Sequence, residues 1–520
     1  MNNADIAIAE QYWEDTLLTP ETLLAAGVGQ EGSPDEPPKF KSYPGQRAVP
    51  LPQRLPHRLG PVTRAFTSGP SRPLTRDTLG ALLYYSYGFS RIDVGVLPGW
   101  PYHRTVASAR CFYPTELYLC LPGGGFGDAG VYHYDQLHHA LVPLRAGDFV
   151  PLVAAAAHAD LSGTPAVLVL TSHYWKTAFR YRHYAYRLCT QEAGMVAGNV
   201  LMVASALGLT GHVHYEFVDE AVDRLLGLTP GEERTMAVIP LYQADAAPTA
   251  PRAGGSHASA AEIIAEIAPI SVPFREVPRD LSLARRVYEM DASSVLADTR
   301  EFTAIDPAVP GEPRPAVGGD HTPLPEPDGE TDLTTALRAR TSGGLNFRPV
   351  PGPVPAQPLA ALARWTGCRY PSDVPGTPLA GLHLIVQDVA GIGSGVYRCA
   401  DRGLVRTGAL PPGRLDRALE IAPVADVANA NVLCYILGDR GIAMRLGNRG
   451  YRIASMDAGV MAQRVSLLAA AGGLASRPVN GYSARGVQQL LGVDPEQLPL
   501  FQIILGRRPA TAQYELPIIF

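Results

Sequence analysis

FRYRHYAYRLCTQEAGMVAGNVLMVASALGL, residues 179–209, returns in outline as MRLGNRGYRIASMDAGVMAQRVSLLAAAGGL, residues 444–474. Tyr186, Gly208 and Gly227 each stand 265 residues before Tyr451, Gly473 and Gly492. Gly130-Val131-Tyr132 recurs at the same distance as Gly395-Val396-Tyr397, and Val167-Leu168 as Val432-Leu433. A register that holds this far without insertion predicts one fold used twice. At 520 residues the chain is long enough for two large units, each with its own core.

The centre of the repeated stretch is apolar on nearly every helical face, and Gly194, Gly198 and Ala204 let a neighbouring backbone come close. Such a helix belongs in the middle of a pair. Packed on its own copy, it would form within one polypeptide the interface that a homodimer forms between two, and a cofactor site at that seam is a natural expectation. The apolar run from Ala193 to Leu209 has 17 residues, at the lower edge of what a membrane span needs. Asn199 lies inside it and Gln463 and Arg464 inside its copy, so burial within protein is the reading taken, with no membrane partner.

Upstream of the helix the character changes. Arg180, Tyr181, Arg182, His183, Tyr184, Tyr186 and Arg187 crowd together, supplying phenols that can hold or give a proton and guanidinium groups of fixed charge. From the residues alone, two roles stay open: hydrogen bonding that ties a sheet edge, or chemistry.

Around this core we read an N-terminal arm over 1–60 with a proline-rich tract, a first unit over 61–243, a linker with a helical insert over 244–332, and a second, more degenerate unit over 333–520. In the first unit a helix opens at Thr75 as N-cap and stops at Gly88; GVYHY and PAVLVLTSHYW read as strands. The second repeats the order with a helix over 358–366, then GLHLIV and GVYRC. Long helices with antiparallel-looking strands give the class α+β. Gly27, Gly29 and Gly32 have dinucleotide-loop spacing, but SPDEPP follows where a helix is needed, so the match is chance.

Net charge −5 argues against nucleic acid as partner. The six cysteines contain no CxxC pair, and no acidic or thiol set joins His138-His139 or His212 and His214, so neither a metal site nor a disulfide framework is expected. The opening residues lack the apolar stretch of a secretory signal, which makes the cytoplasm the default expectation.

Three ordered segments resemble a family. SARCFYPTELYL, GVYHYDQLHHAL and RYRHYAYRLCTQEAGMVAGNVLMVASALGL are similar to the PSxGALYPxELY, GlYxYxPxxHxL and KYxxRAYRxxxLDAGHxxQNLxLxAxALGL segments of nitroreductase-like dehydrogenases of the SagB/ThcOx and McbC type. The resemblance covers most of residues 70–240, with a weaker second set over about 335–510. It implies tandem nitroreductase-like units forming an intramolecular pseudo-dimer around FMN. It also implies oxidation of thiazoline and oxazoline rings to azoles in a modified precursor peptide of thiopeptide-like kind, alongside cyclodehydratase partner proteins. A homodimer of the whole chain stays open. So do two other roles: a non-catalytic scaffold of a peptide-modifying complex, and a flavin oxidoreductase acting on another bond or molecule.

The same resemblance places the flavin contacts on Arg104, Ser108, Ala109, Arg110 and Asn199 of the first unit, and on Arg338, Arg340, Ser342, Arg507 and Arg508 of the second. Phosphate-holding arginines stand only in the second unit and the Ser-x-Gly-like loop only in the first, which predicts one FMN per chain. Arg180-Tyr181 replaces the family's Lys-Tyr pair. Because arginine does not give up its proton, the expected base is Tyr181, its pKa lowered by Arg180, with His183 behind it.

Overall fold

Strands buried on both faces dominate each half, which is why the apolar runs around Val167 and Val432 are continuous rather than alternating. The computed structural model describes residues 3–17, 36–67, 69–94, 101–124, 127–245, 256–265, 267–270, 281–303, 320–327, 329–344, 346–400, 403–410, 415, 425–508 and 515–518. Gly27, Gly29 and Gly32 lie outside them, as do parts of the 244–332 linker.

The first sheet has seven strands: β1 (Val49–Pro50), β4 (Thr115–Leu121), β5 (Gly130–Asp135), β6 (Ala140–Ala146), β7 (Ala166–His173), β8 (Leu209–Gly211) and β9 (Glu233–Gln243). Their order is β1-β6-β5-β4-β7-β9-β8. The second sheet is built from β10 (His321–Pro323), β11 (Gly381–Val386), β12 (Gly395–Ala400), β13 (Gly403–Gly408), β14 (Val432–Asp439), β15 (Ala475–Val479) and β16 (Gln497–Gly506). Its order, β10-β13-β12-β11-β14-β16-β15, repeats the first position by position, and the pairings are antiparallel throughout. The repeat inferred from spacing is thus an architectural one, in an α+β fold.

A third, small sheet joins the two halves. β2 (Phe89–Asp93) pairs with β3 (Tyr102–Arg104), and β17 (Glu515–Pro517), from the end of the chain, adds to β2.

The two central helices, Ala185–Ala206 and Arg449–Ala471, pack against each other. They cross at Gly194 and Gly459, which the 265-residue spacing makes equivalent. A Cβ on Gly194 would lie 1.9 Å from the carbonyl oxygen of Met456, and one on Gly459 would lie 2.2 Å from that of Gln191. The polar residues inside the apolar run meet here: Gln463 Nε2 donates to Asn199 Oδ1 at 3.1 Å, and Asn199 Nδ2 donates to the carbonyls of Tyr85 (3.1 Å) and Ser86 (2.8 Å). Among the described residues no helix is long and apolar enough to cross a membrane.

The N-terminal arm forms a helix, Ala7–Thr16, that sets Tyr12 edge-on against Tyr186 and Tyr451, the equivalent tyrosines of the two halves. The insert helix Arg285–Ser293 docks on the first half, where Asp291 pairs with Arg234 at 2.9 Å. Thr75 caps the helix Arg76–Tyr87, accepting from the Thr78 amide at 3.2 Å.

Candidate active site

Between β3 and β4 the chain makes a loop that few sequences would choose. Arg110, Cys111 and Tyr113 have φ of 49°, 57° and 50°. Each left-handed non-glycine residue costs about 1 kcal/mol or more, and such strain concentrates at functional sites. Arg110 stands where the resembled motif has glycine, so that position requires the conformation whatever residue fills it.

Hydrogen bonds hold the loop in shape. Ser108 Oγ accepts from the Tyr113 amide at 2.9 Å, and the Tyr113 hydroxyl accepts from the Arg104 amide at 3.0 Å. Ser108 is near enough to Glu192 of the first central helix to favour its carboxylate, which accepts from the Tyr87 hydroxyl at 2.8 Å. Arg104 is 1% exposed, its guanidinium stacked 4.3 Å from the Tyr87 ring centroid and 4.7 Å from that of Tyr113.

The second half reaches this loop directly. Arg340 Nη2 donates to the Arg104 carbonyl at 3.2 Å, and Arg91 Nη1 donates to the Arg340 carbonyl at 2.9 Å. Arg338 Nη2 lies 3.3 Å from the Tyr85 hydroxyl. Arg477 of β15 donates to the carbonyls of Ser342 (3.2 Å) and Gly344 (2.5 Å). From the first half, the helix Trp175–Tyr181 ends at Arg180 and Tyr181, with the Tyr181 ring 6.4 Å from that of Phe112 in the loop. The charges of Arg110, Arg180 and Arg477 act on the Tyr181 phenol, that of Arg110 most strongly.

Arg104, Ser108, Ala109, Arg110, Arg180, Tyr181, Arg338, Arg340 and Ser342 therefore gather along one seam. Three other expected residues do not join them. Asn199 is consumed by the packing between the central helices. The His183 carbonyl accepts from Tyr12, and its ring lies toward Asp15 and Arg286, on the arm and insert side. Arg507 turns to the Pro351 carbonyl. Sequence reasoning missed Arg91, Arg477 and Glu192. Only Glu192 had a readable signal, since Asp457 stands 265 residues after it.

Electrostatics correct one expectation. Burial pushes the Tyr181 phenol above its ordinary pKa, and the arginines oppose without overcoming this, Arg110 more than Arg180. Arg180 therefore does not bring the phenol below its usual range. Burial, helped by Arg91 and Arg340, holds His103 down at about 4, so it stays neutral. Burial raises Glu192 to about 7 against its hydrogen bonds and the Arg104 charge.

Nε and Nη1 of Arg104 and Nε of Arg338 are buried without a hydrogen-bond acceptor among the described residues. Fixed cationic donors of this kind suit an anionic group such as a flavin phosphate. The counterpart seam is closed by protein instead. Asp373, equivalent by spacing to Ser108, accepts from the amides of Tyr215 and Glu216 at 2.9 Å each; Val213 bridges Ser372; and the Tyr215 and Tyr370 hydroxyls meet at 2.7 Å.

With this geometry in view, residues 426–507 match the model of the nitroreductase family. The matched stretch runs through β14, the second central helix and β16, in the half that reads as the more degenerate. Relatives include a Methanocaldococcus jannaschii protein named for the nitroreductases, 29% identical over 158 residues, or 30% of this chain and 76% of that one. The microcin B17-processing protein McbC of Escherichia coli is 29% identical over 143 residues, 26% of this chain. The match spans 52% of McbC, about half its length. A crystal structure from Anabaena variabilis, also named for the nitroreductases, superposes with a TM-score of 0.72 at 20% identity, covering 96% of this chain and 99% of its own. That likeness extends the two-unit fold from end to end.

Proposed function

We propose that the chain is an FMN-dependent dehydrogenase that oxidises thiazoline and oxazoline rings to thiazoles and oxazoles in a ribosomally made, modified peptide, working beside cyclodehydratase proteins. The carrying observation is the cluster at one seam: buried Arg104 donors without acceptors, a strained loop beside them, and a phenol held among arginines. Kinship to a peptide-processing protein, McbC, supports the peptide substrate.

In this reading Arg104, Arg338 and Arg340 hold the flavin phosphate, the Ser108–Arg110 loop lies along the ring system, and Tyr181 takes the substrate proton. Bound FMN supplies the two-electron acceptor, receiving the hydride that leaves the azoline. Purified protein incubated with an azoline peptide should remove two hydrogens of mass per ring; an unchanged mass with flavin present would defeat the reading. The closed counterpart seam supports one flavin per chain. Absorbance of the pure protein should give a flavin-to-chain ratio near one, and a ratio near two would contradict it. Tyr181→Phe should lower turnover at least a hundredfold while retaining the yellow colour. Unchanged turnover would remove Tyr181 from the mechanism.

A further inference from the structure

The segment that follows the helix Leu333–Ala339 is gripped by two arginines, one from each half of the chain. Arg91 of β2, buried in the first half, donates through Nη1 to the Arg340 carbonyl at 2.9 Å and sets Nη2 3.4 Å from the Thr341 hydroxyl. Arg477 of β15, in the second half, donates to the carbonyls of Ser342 at 3.2 Å and Gly344 at 2.5 Å. Alternate carbonyls of one short run, at 340, 342 and 344, thus end on guanidinium groups. The run needs special backbone to do this: Gly343 and Gly344 have φ of 77° and 88°, and the Gly343 amide turns back onto the Thr341 hydroxyl at 3.2 Å.

A carbonyl oxygen is the negative end of its peptide dipole, so free carbonyls beside an anion would oppose it. A guanidinium on each one neutralises that end and fixes its direction. Arg340 is then held twice, its carbonyl by Arg91 and its own Nη2 by the Arg104 carbonyl at 3.2 Å. Arg338 of the same segment and Arg104 carry the buried nitrogens that have no acceptor among the described residues. Arg91 is itself well fixed, since β2 is the middle strand between β17 and the Arg104-bearing β3.

Resting on the reading that Arg104, Arg338 and Arg340 hold the flavin phosphate, we propose that Arg91 and Arg477 are positioning residues for that phosphate. They act through the carbonyls of residues 340–344. Because Arg91 and the segment it holds come from opposite halves, the anion site is complete only when the halves are docked.

A grip on the phosphate alone predicts an effect on FMN and none on riboflavin, which has the same ring system without the phosphate. Titrating the cofactor-free full-length chain with each flavin, followed by quenching of flavin fluorescence, reads the difference. Arg91→Met and Arg477→Met should each weaken FMN about tenfold while riboflavin stays within about twofold of the parent. Arg91→Lys and Arg477→Lys keep the charge but not the fork, so they should fall between parent and Met variant, and they carry the same comparison if a Met chain does not fold. Inorganic phosphate should raise the melting temperature of the cofactor-free parent and raise that of the variants less. Equal losses of FMN and riboflavin, the mark of a merely structural role, would overturn the assignment. So would unchanged FMN affinity in the variants of either residue, or a parent that binds the two flavins alike. Failure of the proposed function would look different: the FMN-selective losses would remain while an azoline peptide kept its mass.

Discussion

Gly194→Ala should unfold the protein or cost it more than about 4 kcal/mol. The new Cβ would sit 1.9 Å from the Met456 carbonyl oxygen and 2.6 Å from the Met456 Cα and carbonyl carbon, all backbone atoms of the facing helix. A side chain can rotate away from such a clash; a helix backbone cannot. The helices would have to separate along 22 and 23 residues, and nearly all of those residues are buried. Gly459→Ala meets the Gln191 carbonyl at 2.2 Å and should behave alike. Gly198→Ala is the control: its nearest neighbours, the Val460 Cα and carbonyl oxygen, lie 3.1 Å away, so a small shift should suffice and the loss should stay near 1 kcal/mol. Thermal unfolding of the three variants checks the order. A Gly194→Ala protein melting within a few degrees of the parent would mean that the helices do not cross at this point. Because the loop at Arg110 and the segment at Arg340 come from opposite sides of the seam, Gly194→Ala chains that remain folded should also lose bound flavin.

The crossing was legible in the sequence because it is written twice. The 265-residue register aligns Gly194 with Gly459, and small residues on an apolar helix have few other uses. The strands at Gly130 and Gly395 were legible for the same reason. β9 and β16 were harder, since Pro240 and Pro499 argue against a central strand, yet both strands are internal to their sheets. At the site, motif residues such as Ser108 and Tyr181 could be read because a local pattern carries them. Arg477 could not: it is a lone arginine in β15, and only the folding of the second half, which brings β15 against the segment after the helix Leu333–Ala339, sets it at the Ser342 carbonyl. Arg507 failed in the opposite direction. Sequence reports a charge at the end of β16 but not where it points, and the Pro351 carbonyl captures it. Glu192 and Asp457 were hidden in plain view, because an acidic residue inside an apolar helix shows its purpose only once its hydrogen-bond donors are placed.

Those two acids should make the protein less stable as pH rises through neutrality. Each lies wholly within the protein on a central helix and pins the loop that leads into the first strand of its sheet core. Asp457 accepts from the Tyr370 hydroxyl and the Leu379 amide, both at 2.6 Å, and from the Ala380 amide at 3.2 Å; Glu192 accepts from the Tyr87 hydroxyl at 2.8 Å, with Ser108 of the loop nearby. Burial raises Glu192 to about 7 and Asp457 to about 6, in both cases against those hydrogen bonds. In the unfolded chain the same groups ionise near their ordinary values. Between the unfolded and folded pKa the native state therefore holds a proton that the unfolded state has lost, and stability falls with rising pH across that window. The contribution is fully present below about pH 4 and is lost progressively up to about pH 7, at most about 3 kcal/mol for each acid. Glu192→Gln and Asp457→Asn keep the shape and remove the ionisation. The facing phenols can reverse their hydroxyls, and Tyr370 has the Tyr215 hydroxyl at 2.7 Å to receive its proton. Denaturant unfolding at pH 5 and pH 8 should show each variant gaining stability relative to the parent on going from the lower pH to the higher, with the double variant gaining most. A parent and double variant with the same pH dependence would mean that neither acid is protonated in the native state. The carboxylates would then be stabilised as anions by Arg104 and Arg464, the cations nearest to each.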